Sequence, residues 1–428
     1  MKSMLAVFAA VCAFASPALS QTLPTPPPAG AQGAAPESLL PALIEHSRHV
    51  GGVENGRLTG DAANILRALG AEAQFVLIGE EHGSVGVAQF VDAYWHDLSD
   101  AGYRYAAIEV DPWAARALER ELRAGGVEAW RDFVAPRGGA AAAAFFTWTV
   151  EAALAHTIVT TTPAGDQPTL WGLDQTFLGA ASWYLNDIAA NARNPQARAL
   201  AARLATEAGA ADLNWFARTD AQALVDLRQH LNGRRDQDYA ALVDAMIQSQ
   251  RIYRPFTGGG GESYFANSER EALMKRIFLT HYRAAERADQ APPRVLLKFG
   301  SYHMYRGATP THVQGLGGFV TELAAQNGTS ALAVQVSCGP GSSVGSFSGS
   351  STSCTEGFNQ TWGFLASYVD PTQLTVFDLR AWRLRPRRWA HLPADQRQLI
   401  DSFDLLVFPP QSPGAEFLPG LTAPQVPR

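Results

Sequence analysis

The sequence predicts an α/β protein with a mainly parallel central sheet flanked by helices, a helical insertion and a disulfide-closed loop. Three observations predict it. Short apolar runs recur at residues 75–78, 105–108, 169–173 and 295–297, each ending in glycine or a polar cluster, as in strands buried on both faces. Apolar residues at helical spacing follow the first two runs, giving the strand–helix–strand–helix order of a parallel sheet with right-handed crossovers. Lastly, Cys338 and Cys354 flank a glycine- and serine-rich stretch.

Taken in order, residues 1–20 carry Lys2, an apolar stretch and Ala18-Leu19-Ser20 before Gln21. This reads as a cleavable secretory signal, too short to span a bilayer, so the mature chain is expected to be periplasmic or secreted. Residues 21–36 form a proline-, alanine- and glycine-rich leader, and residues 37–408 form the catalytic α/β domain. A helix is expected over 85–95. A second spans 112–122, with Pro112 near its start, Asp111 as N-cap and Gly125-Gly126 beyond its end. Strand signals fade over about 180–290, where alanine, leucine, arginine and glutamate dominate segments 196–208, 220–231 and 239–251, implying a helical insertion. Within it Gly258 to Gly261 reads as a joint or lid hinge, since no lysine-serine pair follows it to cradle phosphate. Strands return at 294–299, 331–336, 374–377 and 405–408. Residues 409–428, rich in proline, read as a surface-hugging or frayed tail.

A formal charge of −6 with scattered basic residues excludes the basic field of a nucleic-acid binder. The arginine run at 380–388 reads as neutralising local acids or forming a solvated edge. No run of about 20 apolar residues follows the signal, so no membrane span is expected. A small molecule is the expected partner. Cys12 leaves with the signal, and Cys338 and Cys354 remain as an even pair in an exported chain, which favours a disulfide stabilising by about 3 kcal/mol. No CxxC or HExxH is present. The GxSxG match at residues 341–345 lies in the glycine-serine stretch with no helix pattern after it, so it is not read as a nucleophile elbow.

In open α/β sheets ligands bind beyond the carboxyl ends of the strands. Here those ends deliver Glu80, Glu81 and His82 after the first run, Glu109 and Asp111 after the second, and Asp174 and Gln175 after the third. The fourth delivers Lys298, Ser301, Tyr302 and His303. A carboxylate at the end of a buried strand costs several kcal/mol unless it meets a partner. The expected site therefore uses His82 and His303, one of which removes a proton from water. Glu80 and Glu109 orient the imidazoles, Arg270 or Lys298 stabilises the oxyanion, and Asp174, Lys298 and Tyr302 contact substrate. Glu81 reads as the solvated member of its pair. The remaining histidines, His49 and His281 among them, read as structural residues on helices or loops.

The motifs Gly79-Glu-Glu-His82-Gly, Ala107-Ile-Glu109-Val-Asp-Pro112, Trp171-Gly-Leu-Asp174 and Asn267-Ser-Glu-Arg270-Glu-Ala-Leu-Met274 resemble those of the superfamily of erythromycin esterase-like proteins, ChaN-type haem-binding proteins and Tiki-type metalloproteases. One residue separates Glu80 from His82 where the esterase pattern has two, a spacing nearer the haem-binding branch. Gly300 stands where esterases tend to carry an additional histidine. The resemblance implies hydrolysis of an ester or lactone, with Arg270 stabilising an oxyanion or pairing with Glu109. No cofactor is favoured, and two alternatives stay open. Glu80, His82, Asp174 and His303 could hold zinc, manganese or cobalt, or His303, Tyr302 and Tyr305 could serve haem iron.

Overall fold

Each apolar run marked by the sequence is a strand. The structure, a computed structural model, describes residues 40–209, 213, 215–257 and 263–424. The signal and leader, Gly258 to Gly261 and the last four residues lie outside the described residues. Among the described residues eleven strands follow one another: β1 Arg48–Glu54, β2 Arg57–Thr59, β3 Phe75–Glu80, β4 Tyr105–Ile108, β5 Leu170–Gly172, β6 Val295–Gly300, β7 Ala331–Val336, β8 Ser343–Gly345, β9 Ser351–Ser353, β10 Leu374–Asp378 and β11 Leu405–Phe408. Nine form one sheet in the order β2-β1-β10-β11-β7-β3-β6-β4-β5, and β8 and β9 form a separate hairpin.

From β11 to β5 all neighbours are parallel, while β10, β1 and β2 extend the other edge antiparallel. Alternation along the strands fills two cores. Val76, Ile78, Ala106 and Ile108 face one, against the helices Gly60–Glu72, Val85–Asp100, Pro112–Val134 and Thr149–Thr161. Phe75, Leu77, Tyr105 and Ala107 face the other, against Ser263–Asp289 and Leu316–Gln326. A sheet covered on both faces needs apolar side chains at every position, hence unbroken apolar runs rather than alternation.

Register places the chemistry. Glu80 stands opposite both Gly300 and Val336, and Ile108 stands opposite Lys298, so β3, β4, β6 and β7 end at one level. Between β5 and β6 the described chain is helical, from Ala181–Asn191 through Ser263–Asp289, which is the insertion the sequence predicts. Asp111 caps its helix by accepting from the amides of Trp113 and Ala114 at 3.0 and 2.9 Å. The Gly125-Gly126 pair, with φ of 71° at Gly126, breaks the helical path that resumes toward Val134. No helix of the described residues is long and apolar enough to cross a membrane.

Two placements depart from the sequence reading. His49 lies in strand β1, paired with Val376, rather than on a helix or loop. The proline-rich tail is built into the fold as far as residue 424: Gly414 bridges Ser84, Phe417 bridges Trp148, and Leu418 is buried. Cys338 and Cys354 form the disulfide. The GxSxG residues lie in and before β8 with no strand-to-helix turn, as the sequence implies.

Candidate active site

β3 ends on Glu80, and the chain must then turn sharply into the helix Val85–Asp100. Gly83 makes that turn at φ +83°, and a Cβ there would meet the Gly345 carbonyl at 2.2 Å. Glycine is required on both counts. The Gly83 carbonyl accepts from the amides of Gly345 at 2.8 Å and Ala415 at 2.7 Å, so the disulfide-closed hairpin and the C-terminal segment hold the turn together. This fixes His82 at the mouth of the sheet.

His82 is clamped on three sides. Its Nδ1 lies 3.0 Å from Glu80 Oε1, its Nε2 lies 3.4 Å from Glu109 Oε2, and its ring stacks on Phe145 at 3.9 Å and 15°. Phe145 adopts φ +60°, an unfavourable conformation for a residue with a side chain, which concentrates backbone strain at the site. His303 sits in the single helical turn Ser301–Met304 that follows β6. Its Nδ1 lies 2.5 Å from Glu271 Oε1 and its Nε2 3.4 Å from Glu109 Oε1. Glu271 is fixed in turn by the Leu316 amide, which donates to its Oε2 at 2.7 Å. Two glutamate–histidine dyads thus present their Nε2 atoms to one carboxylate.

That carboxylate, Glu109, is buried and anchored by the Gly300 amide at 2.6 Å and by Arg270 Nη2 at 2.8 Å. Arg270 also forks onto Asp174 at 2.9 and 2.6 Å, the planar bidentate geometry that suits guanidinium. Behind Glu80, Lys298 Nζ donates to Glu80 Oε1 at 2.7 Å and to both oxygens of Glu151 at 2.9 Å.

Five buried carboxylates therefore surround two permanent cations, and two imidazolium ions nearly balance the cluster. Burial pulls the His82 pKa down, but the Glu109 charge and the bonds to Glu109 and Glu80 outweigh it and raise it to about 10. Burial and the Arg270 charge pull His303 down, yet Glu109 and Glu271 raise it to about 9. Burial disfavours the Glu109 anion, and the two histidines overcome this, holding its pKa well below the usual range. Glu80 is likewise lowered against its burial, by Lys298 and His82.

A cleft of about 840 Å³ opens over these groups. Its floor carries Glu80, His82, Glu109, Arg270 and His303, and its walls carry Phe145, Trp148, Phe347, Tyr302, Tyr305 and Trp362. Phe347 belongs to the loop between β8 and β9, so the disulfide-closed segment stands at the cleft rim on the side of both histidines.

No protein-family profile matches the sequence, and no curated protein matches it. Solved structures do. An erythromycin esterase in its open conformation matches with a TM-score of 0.57 and 13% identity, covering 87% of this chain and 100% of that one. The two chains share a fold. A succinoglycan biosynthesis protein matches at 0.55 and 12%, over 89% of this chain and 98% of its own. A haem-binding ChaN of Campylobacter jejuni matches at 0.31 and 11%, over 67% and 91%, a likeness too low to bear on function.

Of the residues expected at the site, His82, His303, Glu80, Glu109, Arg270 and Tyr302 reach the cleft, and Tyr302 is 55% exposed there. Lys298 does not: it is buried, its ammonium is occupied by Glu80 and Glu151, and it is not placed to contact substrate or an oxyanion. Asp174 also stays off the cleft wall, both oxygens engaged by Arg270. Glu81 is exposed as a residue, but its carboxylate turns in against the disulfide, accepts from the Cys338 amide at 3.4 Å and has its pKa pushed up by burial, so it is not the freely solvated member the sequence suggests.

The metal set fits poorly. Asp174 faces a guanidinium, which would repel a metal ion, and Glu80 Oε1 already accepts from Lys298. Among the described residues, ligand atoms of Glu81, Cys338 and Cys354 do converge, but both sulfurs are bonded to each other. The haem set fits poorly too. Both His303 nitrogens face carboxylates, and the Tyr305 ring packs against Phe403, its buried hydroxyl held above the usual tyrosine pKa.

Two site residues escape the sequence reading. Glu271 adjoins Arg270 on a helix where any glutamate passes for surface charge. Glu151 left a clearer signal: it lies in the mainly apolar first half of the helix Thr149–Thr161, between Val150 and Ala152, so it demanded a buried partner.

Proposed function

We propose that the protein is an exported hydrolase that cleaves an ester or lactone in a small molecule, with water as nucleophile. One observation carries the reading: two glutamate–histidine dyads aim Nε2 at a shared carboxylate beside an arginine, on the floor of a cleft walled by aromatic rings. A carboxylate on Nδ1 fixes the ring and its tautomer, leaving Nε2 as the working nitrogen. The shared fold agrees with this chemistry, and residues 1–20 supply the signal for export.

The two imidazoles differ in surroundings, which divides their roles. His303 is nearer the Arg270 charge, gives up its proton more readily and serves as the base toward water. His82, between Glu80 and Glu109, holds its proton longer and delivers it to the departing oxygen. Arg270 on the cleft floor meets the developing oxyanion. Hydrolysis balances: His303 takes a proton as water's oxygen bonds the carbonyl carbon, the acyl C–O bond breaks as His82 protonates the departing oxygen, and proton transfer from His303 back to His82 through solvent restores both imidazoles.

The test is a screen of ester, lactone and peptide substrates on the mature protein, with added divalent metals, with chelator and with hemin in parallel arms. Hydrolysis that survives chelation, with His82→Ala and His303→Ala each lowering kcat by about 10²–10⁴ while thermal unfolding is retained, supports the assignment. Wild-type rates in both variants refute it. A Soret band on hemin addition, lost in His303→Ala, would replace hydrolysis by haem binding. The mass of secreted protein, beginning at Gln21, tests export.

A further inference from the structure

We propose that Glu151 and Lys298 are positioning residues: together they fix the charge and orientation of Glu80, and through Glu80 the proton on His82. The inference rests on the reading of His82 as a working group, and its first test needs no substrate. Neither residue lines the cleft.

The geometry is a chain of buried charges running inward from the site. Glu80 Oε1 is shared by His82 Nδ1 and Lys298 Nζ, whereas Oε2 is buried with no hydrogen-bond partner among the described residues. A carboxylate in that position stays ionised only through its Oε1 contacts, and Lys298 is the permanent cation among them. Lys298 in turn is buried, and both oxygens of Glu151 complete its coordination. Stability alone does not account for the arrangement, because a buried ion pair holds a fold no better than a well-packed apolar pair of similar size. What the charges do provide is a fixed anion on the inner side of His82.

Placement strengthens the argument. Glu151 lies in the first turn of the helix Thr149–Thr161, three residues after Trp148 and six after Phe145, which are both cleft walls. The Lys298–Glu151 contact therefore ties the aromatic wall that stacks on His82 to the strand that carries His303. Movement of either would be felt at the same imidazole.

Around His82 the charged groups are Glu80 and Glu109 in contact, His303 across Glu109, Arg270 behind Glu109, Lys298 and Glu151 behind Glu80, and Glu81 beside it in the turn. Glu151→Gln removes one negative charge and leaves Lys298 less compensated. His82 should then lose its proton about one pH unit lower than in wild type, the size expected for one buried charge several ångströms away. Imidazole resonances in a ¹⁵N-labelled protein report this directly. In kinetics on a cleaved ester the high-pH limb should move down by a similar amount while KM holds, a split that a purely structural defect would not give.

Because an unpaired buried lysine can prevent folding, a second variant, Glu151→Leu with Lys298→Met, removes both charges together. There Glu80 loses its permanent cation and takes up a proton at higher pH than in wild type, weakening the His82 Nδ1–H resonance in mildly acidic buffer. Glu151→Asp, which keeps the charge, should restore most of the wild-type titration. An unchanged His82 titration in folded Glu151→Gln, or an unchanged His82 Nδ1–H resonance in mildly acidic buffer in the folded double variant, overturns the proposal. If no substrate is hydrolysed but the titration shifts as stated, the positioning role stands and the hydrolase reading falls.

Discussion

A Cβ on Gly300 would lie 2.7 Å from Nε2 of His82, and the Gly300 amide donates to Glu109 at 2.6 Å. The ends of β3 and β6 therefore approach so closely that residue 300 can have no side chain while His82 keeps its place. An additional histidine at this position would collide with the imidazole.

Gly300→Ala should displace the His82 ring, costing about 1–3 kcal/mol as overpacking of a tight site. Turnover should fall at least tenfold, a larger relative loss than in stability. Thermal unfolding and kcat on the hit from the substrate screen measure the two, and unaltered turnover would place His82 outside the chemistry.

The pH dependence follows from the two imidazoles. With His303 as base near 9 and His82 as acid near 10, kcat/KM should rise through about 9 and decline above about 10, with the two limbs belonging to the pair. A flat profile from neutral to strongly alkaline pH would contradict the division of roles. Stability should run the other way. A histidine whose folded pKa is raised contributes fully below its unfolded value near 6.5, and that contribution disappears as pH rises through the folded value. The unfolding temperature should thus drop between about pH 6.5 and 10 in wild type, and more gently in His82→Ala.

Arg270→Met leaves Glu109 and Asp174 facing each other without their cation, and should destabilise the fold by about 3–5 kcal/mol in denaturant titration. Arg270→Lys should recover only part of this, because an ammonium cannot fork onto Asp174 while also reaching Glu109. Full recovery by lysine would show that charge alone matters here.

Replacing Cys338 and Cys354 together by serine should lower stability by about 2–4 kcal/mol and raise KM more than it lowers kcat, since the loop they close brings Phe347 to the cleft rim. Mass spectrometry of unreduced protein checks the bond, and kinetics of the double serine variant check the rim.

The parallel core was legible because both faces of it are covered, which makes runs such as residues 75–78 uniformly apolar. The site was legible wherever a strand end announced it, as at Glu80, His82, Glu109 and His303. What stayed hidden came from helices. Glu271 and Glu151 reach the site through tertiary packing, and helical periodicity does not tell a buried glutamate from a solvated one. The exposure of Lys298 was misjudged for a related reason: side chains alternate across a strand, and only its register with Ile78 and Ile108 and the packing of the helix that bears Glu151 reveal which side it takes. The edge hairpin of β1 and β2 carries a turn signal in Asn55-Gly56, with φ of 51° and 72°, but Gly51 and Gly52 interrupt the strand pattern before it.

The double acceptance by the Gly83 carbonyl has a consequence for how the molecule comes into being. Its two donors, Gly345 and Ala415, lie more than 250 residues downstream, so loops spanning most of the chain must close before the turn bearing His82 is held. While the polypeptide is still being made, the histidine has a strand behind it but nothing to clasp its turn. Fixing of the His82 turn is then a late event in folding, arriving with the C-terminal segment rather than with the sheet.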